Sequence, residues 1–381
     1  MSFSPHFRSP FLFFSLVLAT LGLLGCQSDR QEDRPGSWTV QEGGLQLQET
    51  LRVSKGEDFY LGRIADVAVG DDGRIYVVDT DAYHVKVLSR DAALQDTVGA
   101  RGEGPGEFQH PLKLARARGD SLYVLDGADG RVHVFAPGLT VERVFRAGTD
   151  QGFPISMMIP DRAGSSTDRA FLFVYSPGAR AVVQEDAKMV VRRVSPGGTV
   201  GSTLFTTRPY RMTSADIGGG RTLFLNVPFA PFPRYALGPN GRVHYAYGDS
   251  MTVTAYGPTG QARRTVRIPF ESVPITEDEI AEALEGRTRG PEQVRDEIPA
   301  SKPAFTQFLV DDDGRYWFGR PTAHPDSTAW WAATPDTRRV VTDTLPSDVQ
   351  ILTVKDGQAY GRTRTEAGAP ALVRYTIRTD R

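Results

Sequence analysis

The stretch from Val67 to Pro111, VAVGDDGRIYVVDTDAYHVKVLSRDAALQDTVGARGEGPGEFQHP, reads as one structural repeat. Two runs of strand-forming residues, Arg74-Ile75-Tyr76-Val77-Val78 and His84-Val85-Lys86-Val87-Leu88, each follow turn residues, and the loop Gly102-Glu103-Gly104-Pro105-Gly106 closes the unit. A turn and an apolar run of the same kind recur from Gly119, Asn240, Asp313 and Asp356, with a weaker copy from Thr167 to Val174. An Asp-Gly or Asn-Gly pair supplies the positive φ values that a two-residue hairpin loop requires. The runs that follow are apolar on both faces, as a sheet packed between two others demands. Spacings of about 45 residues suit a four-stranded unit, and two gaps nearer ~70 must hold insertions. The six copies predict an all-β chain: a six-bladed β-propeller of four-stranded antiparallel blades over residues 38–381, with a short helical insertion at about 276–298.

The first two units carry a resemblance. Ile75-Tyr76-Val77-Val78-Asp79, His84-Val85-Lys86-Val87-Leu88 and the loop from Val98-Gly99 through Gly102-Glu103-Gly104-Pro105-Gly106-Glu107-Phe108 to Pro111 resemble NHL repeats. So do Leu122-Tyr123-Val124-Leu125-Asp126 and Arg131-Val132-His133-Val134-Phe135. The resemblance covers residues 64–136; NHL units commonly carry Arg where this chain has His84, and later copies lose the Gly-Pro-Gly loop. As a whole the chain is similar to six-bladed β-propeller lipoproteins of bacteria, most of which have no assigned activity.

The N-terminus sets the address. Arg8 is the only full charge in residues 1–25, and the apolar run from Phe11 to Leu24 would make a helix only ~21 Å long against the ~30 Å of a bilayer core. Residues 1–25 therefore read as a signal peptide. The run ends in Leu23-Leu24-Gly25-Cys26, which resembles a bacterial lipobox, and Cys26, the only cysteine, is the expected lipid acceptor. Residues 26–37 read as a flexible tether of ~35–40 Å, so the body is expected outside the cytoplasm, anchored to a membrane of the cell envelope. The alternating segment from Trp38 to Val53 is expected to supply a strand beside Leu372–Ile377 in the last blade, closing the ring and removing its open edges.

Composition, with 40% hydrophobic and 24% charged residues, fits a soluble turn-rich body. Loss of residues 1–25 moves the formal charge only from −2 to −3, which excludes a nucleic-acid partner, since phosphate neutralisation needs clustered Lys and Arg.

No catalytic constellation stands out. The five histidines after the signal peptide, His84, His110, His133, His244 and His324, have no zinc spacing. His244 aligns with the aromatic position of the blades, His133 is expected to be solvated, and His84 is the one that would point to a shared face. Asp71-Asp72 and Asp311-Asp312-Asp313 read as turn residues in preference to calcium ligands. The Gly102–Gly106 loop contains Pro105 and precedes no helix, so it does not cradle a phosphate. No Gly-x-Ser-x-Gly elbow is present.

Pro228, Pro231 and Pro233 mark the segment around Phe229 and Phe232 as a loop or blade edge. Phe229, Phe232 and Arg234, with Arg208, Tyr210 and Arg211 upstream, are the candidate contacts of a binding or scaffold module for an envelope protein or glycan, without a cofactor. The alternative is a lactonase- or lyase-like enzyme with a divalent cation, Ca or Zn, in the central channel. Thr276 with Glu279 forms a capping-box pattern opening a helix that Gly286 ends, and a second helix begins near Pro291.

Overall fold

The computed structural model describes residues 31–32, 37–116, 121–147, 153–158, 171–184, 187–195, 197–239 and 241–379. The expected signal peptide, residues 1–25, and Cys26 lie outside them. Six sheets of antiparallel strands form the blades. Blade 1 consists of Ile64–Val69, Ile75–Asp79, His84–Leu88 and Leu94–Val98; blade 2 of Pro111–Arg116, Leu122–Asp126, Arg131–Phe135 and Val141–Arg146. Blade 3 uses Phe153–Met158, Phe171–Ser176, Met189–Val194 and Val200–Thr207; blade 4 uses Pro233–Leu237, Val243–Tyr247, Thr252–Tyr256 and Ala262–Arg267. Blade 5 is Gln307–Val310, Tyr316–Pro321, Ser327–Thr334 and Arg339–Pro346.

Blade 6 closes the ring. Its first three strands, Gln350–Lys355, Gln358–Arg364 and Pro370–Thr379, come from the C-terminal end, and its outer strand is Leu45–Val53. The pairing runs from Leu45 opposite Thr379 to Val53 opposite Leu372, as the alternating N-terminal pattern predicts. Leu45 and Leu47 enter the cluster of Trp317 and Trp330, and burial of each leucine is worth about 1.5–3 kcal/mol. Thr39–Gln41 does not join blade 6; it pairs in parallel with the outer strand of blade 5, and Gln31–Glu32 of the expected tether pairs in parallel with that of blade 4.

Each junction between blades is filled by its own hydrophobic cluster. Strand alternation divides the side chains between neighbours. Ile75 and Val77 pack towards blade 6, while Tyr76 and Val78 pack towards blade 2, and all four are buried. This is why the second strand of a blade reads as a continuous apolar run.

The turns between first and second strands differ from expectation. At Asp72-Gly73 only the glycine has positive φ, 81°, and Gly73 N–H donates to the Gly70 carbonyl at 3.0 Å, so the loop is a four-residue turn ending in a left-handed glycine. The Asp72 side chain accepts from Arg74 N–H at 3.1 Å, stabilising that longer loop. Asp311 plays the same part from the first position of its turn, accepting from Asp313 and Arg315 N–H. Asp356-Gly357, with φ of 51° and 71°, is the two-residue loop of the expected kind.

An aspartate at the end of the second strand pins the chain entering the blade. In blade 1, Asp79 accepts from the N–H groups of Gly62, Arg63 and Ala82 at 2.9, 3.0 and 3.3 Å and from Lys86 Nζ at 2.6 Å, all in a site where its carboxylate is fully buried. Burial alone would raise the Asp79 pKa, but the N–H donors and the Lys86 charge outweigh it and hold it below the usual range. In blade 2, Asp126 repeats the device with Gln109, His110 and Ala128. His133, expected in solvent, is instead fully buried at the position of Lys86: its Nδ1 accepts from Gly106 N–H at 3.1 Å and its ring lies edge-on to Phe108. The Gly-Pro-Gly loop folds back over it, which a strand-by-strand reading does not reveal.

Three short helices are described: α1 (Ala179–Val183), α2 (Glu277–Leu284) and α3 (Pro291–Glu297). Thr276 and Glu279 form the expected capping box, and Pro291 opens α3. Val294 is fully buried, Arg295 bonds Glu277 at 2.5 Å, and Lys302 pairs with Glu279 at 2.5 Å; α3 packs on α2 and on the strand Met212–Asp216. Among the described residues, no helix is long and apolar enough to cross a membrane.

Asp79→Ala leaves the Lys86 charge and several N–H groups unpaired, and is expected to lower the unfolding free energy by about 3–5 kcal/mol in urea titrations. Lys86→Met should cost less, because Asp79 keeps its backbone donors; the reverse order would discredit this account. His244 packs edge-on to Tyr316 with Nδ1 buried and unpartnered, and burial, then the charges of Arg242 and Arg264, bring its pKa from 6.5 to about 4. The folded chain therefore stays unprotonated there while the unfolded chain takes up a proton. Stability is expected to be full above pH ~6.5 and to decline by up to about 3 kcal/mol as pH falls to ~4, a slope that His244→Phe should flatten.

Candidate functional site

Blade 4 breaks the rule that both faces of a blade are apolar. Its face towards blade 5 carries Ala246, Val253 and Val266, all buried. Its face towards blade 3 carries Tyr245 and Tyr247 on the second strand and Thr252, Thr254 and Tyr256 on the third, with Tyr245 directly opposite Thr254. Strand alternation puts every one of these hydroxyls on the same side. The cluster at this junction is the smallest of the six among the described residues, with Leu172, Val174, Met189, Val191, Phe205 and Val243 buried at its base.

Above that base the blades part into a cleft of about 570 Å³. Blade 3 contributes Lys188, Thr206, Thr207 and Arg208; blade 4 adds to its tyrosines and threonines Asp249, Ser250 and Arg267. Aromatic contacts hold the walls: Phe205 stacks on Tyr256 at 3.7 Å between nearly parallel rings, and the Tyr235 hydroxyl bonds Thr207 across the junction. At the mouth, the Arg208 guanidinium lies 3.9 Å from the Tyr247 ring centroid and pairs with Asp249 at 2.6 Å, while Tyr247 donates to the Pro209 carbonyl at 3.1 Å.

The phenols of this junction are held neutral. Burial pushes Tyr245 up to about 12, against the pull of the Arg208 charge, and raises Tyr235, Tyr247 and Tyr256 as well. The Tyr245 hydroxyl is itself buried beside the Arg208 guanidinium. The walls thus offer neutral groups that both donate and accept, together with one carboxylate and three cations. That set can bind a ligand rich in hydroxyls.

Of the residues singled out from sequence, Arg208 lines the cleft. Tyr210, Phe232 and Arg234 come together beside it: the first two rings stack at 5.1 Å and 10°, and the Arg234 guanidinium lies 5.2 Å from the Phe232 centroid. Phe232 is exposed, and Arg234 is tied by its Nε to the Thr306 carbonyl at 2.9 Å. Arg211 turns away to pair with Glu297 of α3, and Phe229 is half-buried in a loop with φ of 59°.

The cleft tyrosines and threonines escaped the sequence reading. Their signal lies in the second strand, Val243-His244-Tyr245-Ala246-Tyr247, where blades 1 and 2 carry Ile75-Tyr76-Val77-Val78 and Leu122-Tyr123-Val124-Leu125; the alternation of Thr252-Val253-Thr254-Ala255 is shared with His84-Val85-Lys86-Val87. Among the described residues the only carboxylate or histidine group with metal-binding geometry is Asp311, Asp312 and Asp313. Asp311 there serves its own turn, Arg315, and Trp317 Nε1 at 2.8 Å.

These features define the class: a six-bladed β-propeller with a polar cleft at one blade junction. The sequence matches no protein-family model and no curated protein. Solved structures share the fold. A Bacteroides fragilis protein described as exported aligns over 92% of this chain and 99% of its own, with a TM-score of 0.54 and 10% identity. A member of the DUF4221 family from Bacteroides vulgatus aligns over 88% and 99%, with a TM-score of 0.51 and 8% identity. Virginiamycin B lyase from Staphylococcus aureus aligns over 87% and 99% at a TM-score of 0.44 and 11% identity, too loose a likeness to carry an argument.

Arg208→Ala removes a largely exposed ion pair and a cation–π contact, and should lower the unfolding free energy by no more than about 2 kcal/mol. A larger loss in chemical denaturation would mean that Arg208 holds the blades together instead of facing a ligand.

Proposed function

We propose that this chain is a lipid-anchored, extracytoplasmic propeller, NHL-like in its first two repeats, that binds a glycan of the cell envelope in the cleft between blades 3 and 4. One observation carries the proposal: every side chain that lines the cleft bears a hydroxyl or a charge. The phenol rings and threonine methyl groups between these hydroxyls add apolar surface, so the wall matches a ligand with donors and acceptors at its edges and C–H faces between them, as a sugar has. Preorganised by the stack on Phe205, these hydroxyls lose little freedom when they bind. The Leu23–Cys26 motif and the polar residues after it support the anchored address. Among the described residues the one acidic group that could hold a metal ion, Asp311–Asp313, is engaged in a turn, which lends the metal-dependent lactonase- or lyase-like alternative no comparable support.

The test is calorimetric titration of the detergent-purified full chain with envelope-derived oligosaccharides, alongside Thr252→Val, which removes one hydroxyl from the cleft wall. The expectation is saturable binding that the substitution weakens by about threefold to tenfold, the value of one neutral hydrogen bond. Failure of every oligosaccharide, with capture of proteins through the Tyr210–Phe232–Arg234 patch, would overturn the glycan assignment. For the anchor, Cys26→Ser is expected to abolish labelling by radioactive fatty acid and release the chain from the membrane fraction; unchanged labelling would refute lipidation at Cys26.

A further inference from the structure

The charges of the cleft do not balance. Arg208 and Asp249 satisfy each other at 2.6 Å. Lys188, just before the third strand of blade 3, and Arg267, at the end of the outer strand of blade 4, line the same cleft from its two walls. Both are exposed, and neither has a hydrogen-bond or ion-pair partner among the described residues. The hydroxyl groups around them supply no compensating charge. Among the described residues the cleft therefore has two cations in excess, held on opposite walls.

We propose that the ligand is an acidic glycan, whose carboxylate or phosphate groups are read by Lys188 and Arg267 while the hydroxyl wall takes the sugar ring. This deepens the glycan-binding proposal and rests on it. The two cations have separate chemistries: guanidinium suits a bidentate grip on an acid group, and the lysine ammonium acts as a point charge. Position supports the division of labour. Arg267 stands opposite Thr252 in the strand ladder, so a sugar acid held by the guanidinium has a threonine beside it. Attraction of this kind acts between partly solvated groups and weakens as salt screens it.

The experiment compares four probes on the full chain in detergent: a uronic-acid trisaccharide, the same trisaccharide fully methyl-esterified, its neutral hexose counterpart and a phosphorylated trisaccharide. Each is titrated into the unaltered chain and into Lys188→Gln and Arg267→Gln, exposed positions at which the fold is expected to persist, as circular dichroism would verify. The acidic probes are expected to bind at least tenfold more tightly than the ester and the hexose, with affinity falling as salt is raised. Each substitution should remove about tenfold of the acidic affinity and leave the neutral probes within about twofold. The better of the two acids identifies carboxylate or phosphate as the natural group. Equal binding of acid and ester would sink the proposal while leaving glycan binding intact, as would an acid preference that survives both substitutions. No binding of any probe would instead remove the glycan reading itself.

Discussion

In a ring of sheets every blade has two neighbours, so both of its faces must be kept dry or the ring opens. That requirement is met by splitting each second strand between two clusters, as Ile75 and Val77 on one side and Tyr76 and Val78 on the other illustrate. It also forces the ends together, because a six-membered ring with an unpaired last blade would expose both a strand edge and the faces of Trp317 and Trp330. The strand Leu45–Val53, laid against Pro370–Thr379, resolves both problems with chain from the opposite end of the sequence.

Dry junctions leave the connections between blades as the places where polar chain must be buried. The aspartates at the ends of the second strands answer this need. Asp79 and Asp126 each gather N–H groups from the segment entering the blade, and a cation or an imidazole then occupies the same site on the third strand: Lys86 in blade 1, His133 in blade 2. A buried carboxylate is tolerable only because its lone pairs are filled. The conspicuous acid of the first two repeats is thus an architectural device, as are the Asp311 and Asp313 carboxylates in their turn.

The proposed function sits where the constraint relaxes. Between blades 3 and 4 the apolar cluster shrinks, and hydroxyls replace methyl groups along one face of blade 4 without disturbing its other face. The price in buried apolar area is met by stacking of Phe205 on Tyr256 and by the Thr207–Tyr235 hydrogen bond, which keep the blades attached below an open, polar mouth. In sequence a hairpin of Met212–Asp216 and Thr222–Asn226 separates these blades, and helix α3 packs on it and pairs with Arg211 through Glu297.

By itself the sequence determined the repeat, the number and strand content of the blades, the capping of α2 and the closure by the N-terminal strand, because these follow from local periodicity, turn chemistry and capping residues. It also singled out Phe229, Phe232 and Arg234 through an unusual density of aromatic and proline residues, with Arg208, Tyr210 and Arg211 upstream. The burial of His133 was hidden, since it depends on a loop that folds back from a distant position. The cleft was hidden for the same reason: Lys188, Thr207, Tyr245, Asp249 and Arg267 are scattered over many residues, and only the packing of one blade against the next decides which face of Thr252–Tyr256 looks outward into a cavity. Alternation reveals that a strand has a polar face; tertiary structure alone decides what that face meets.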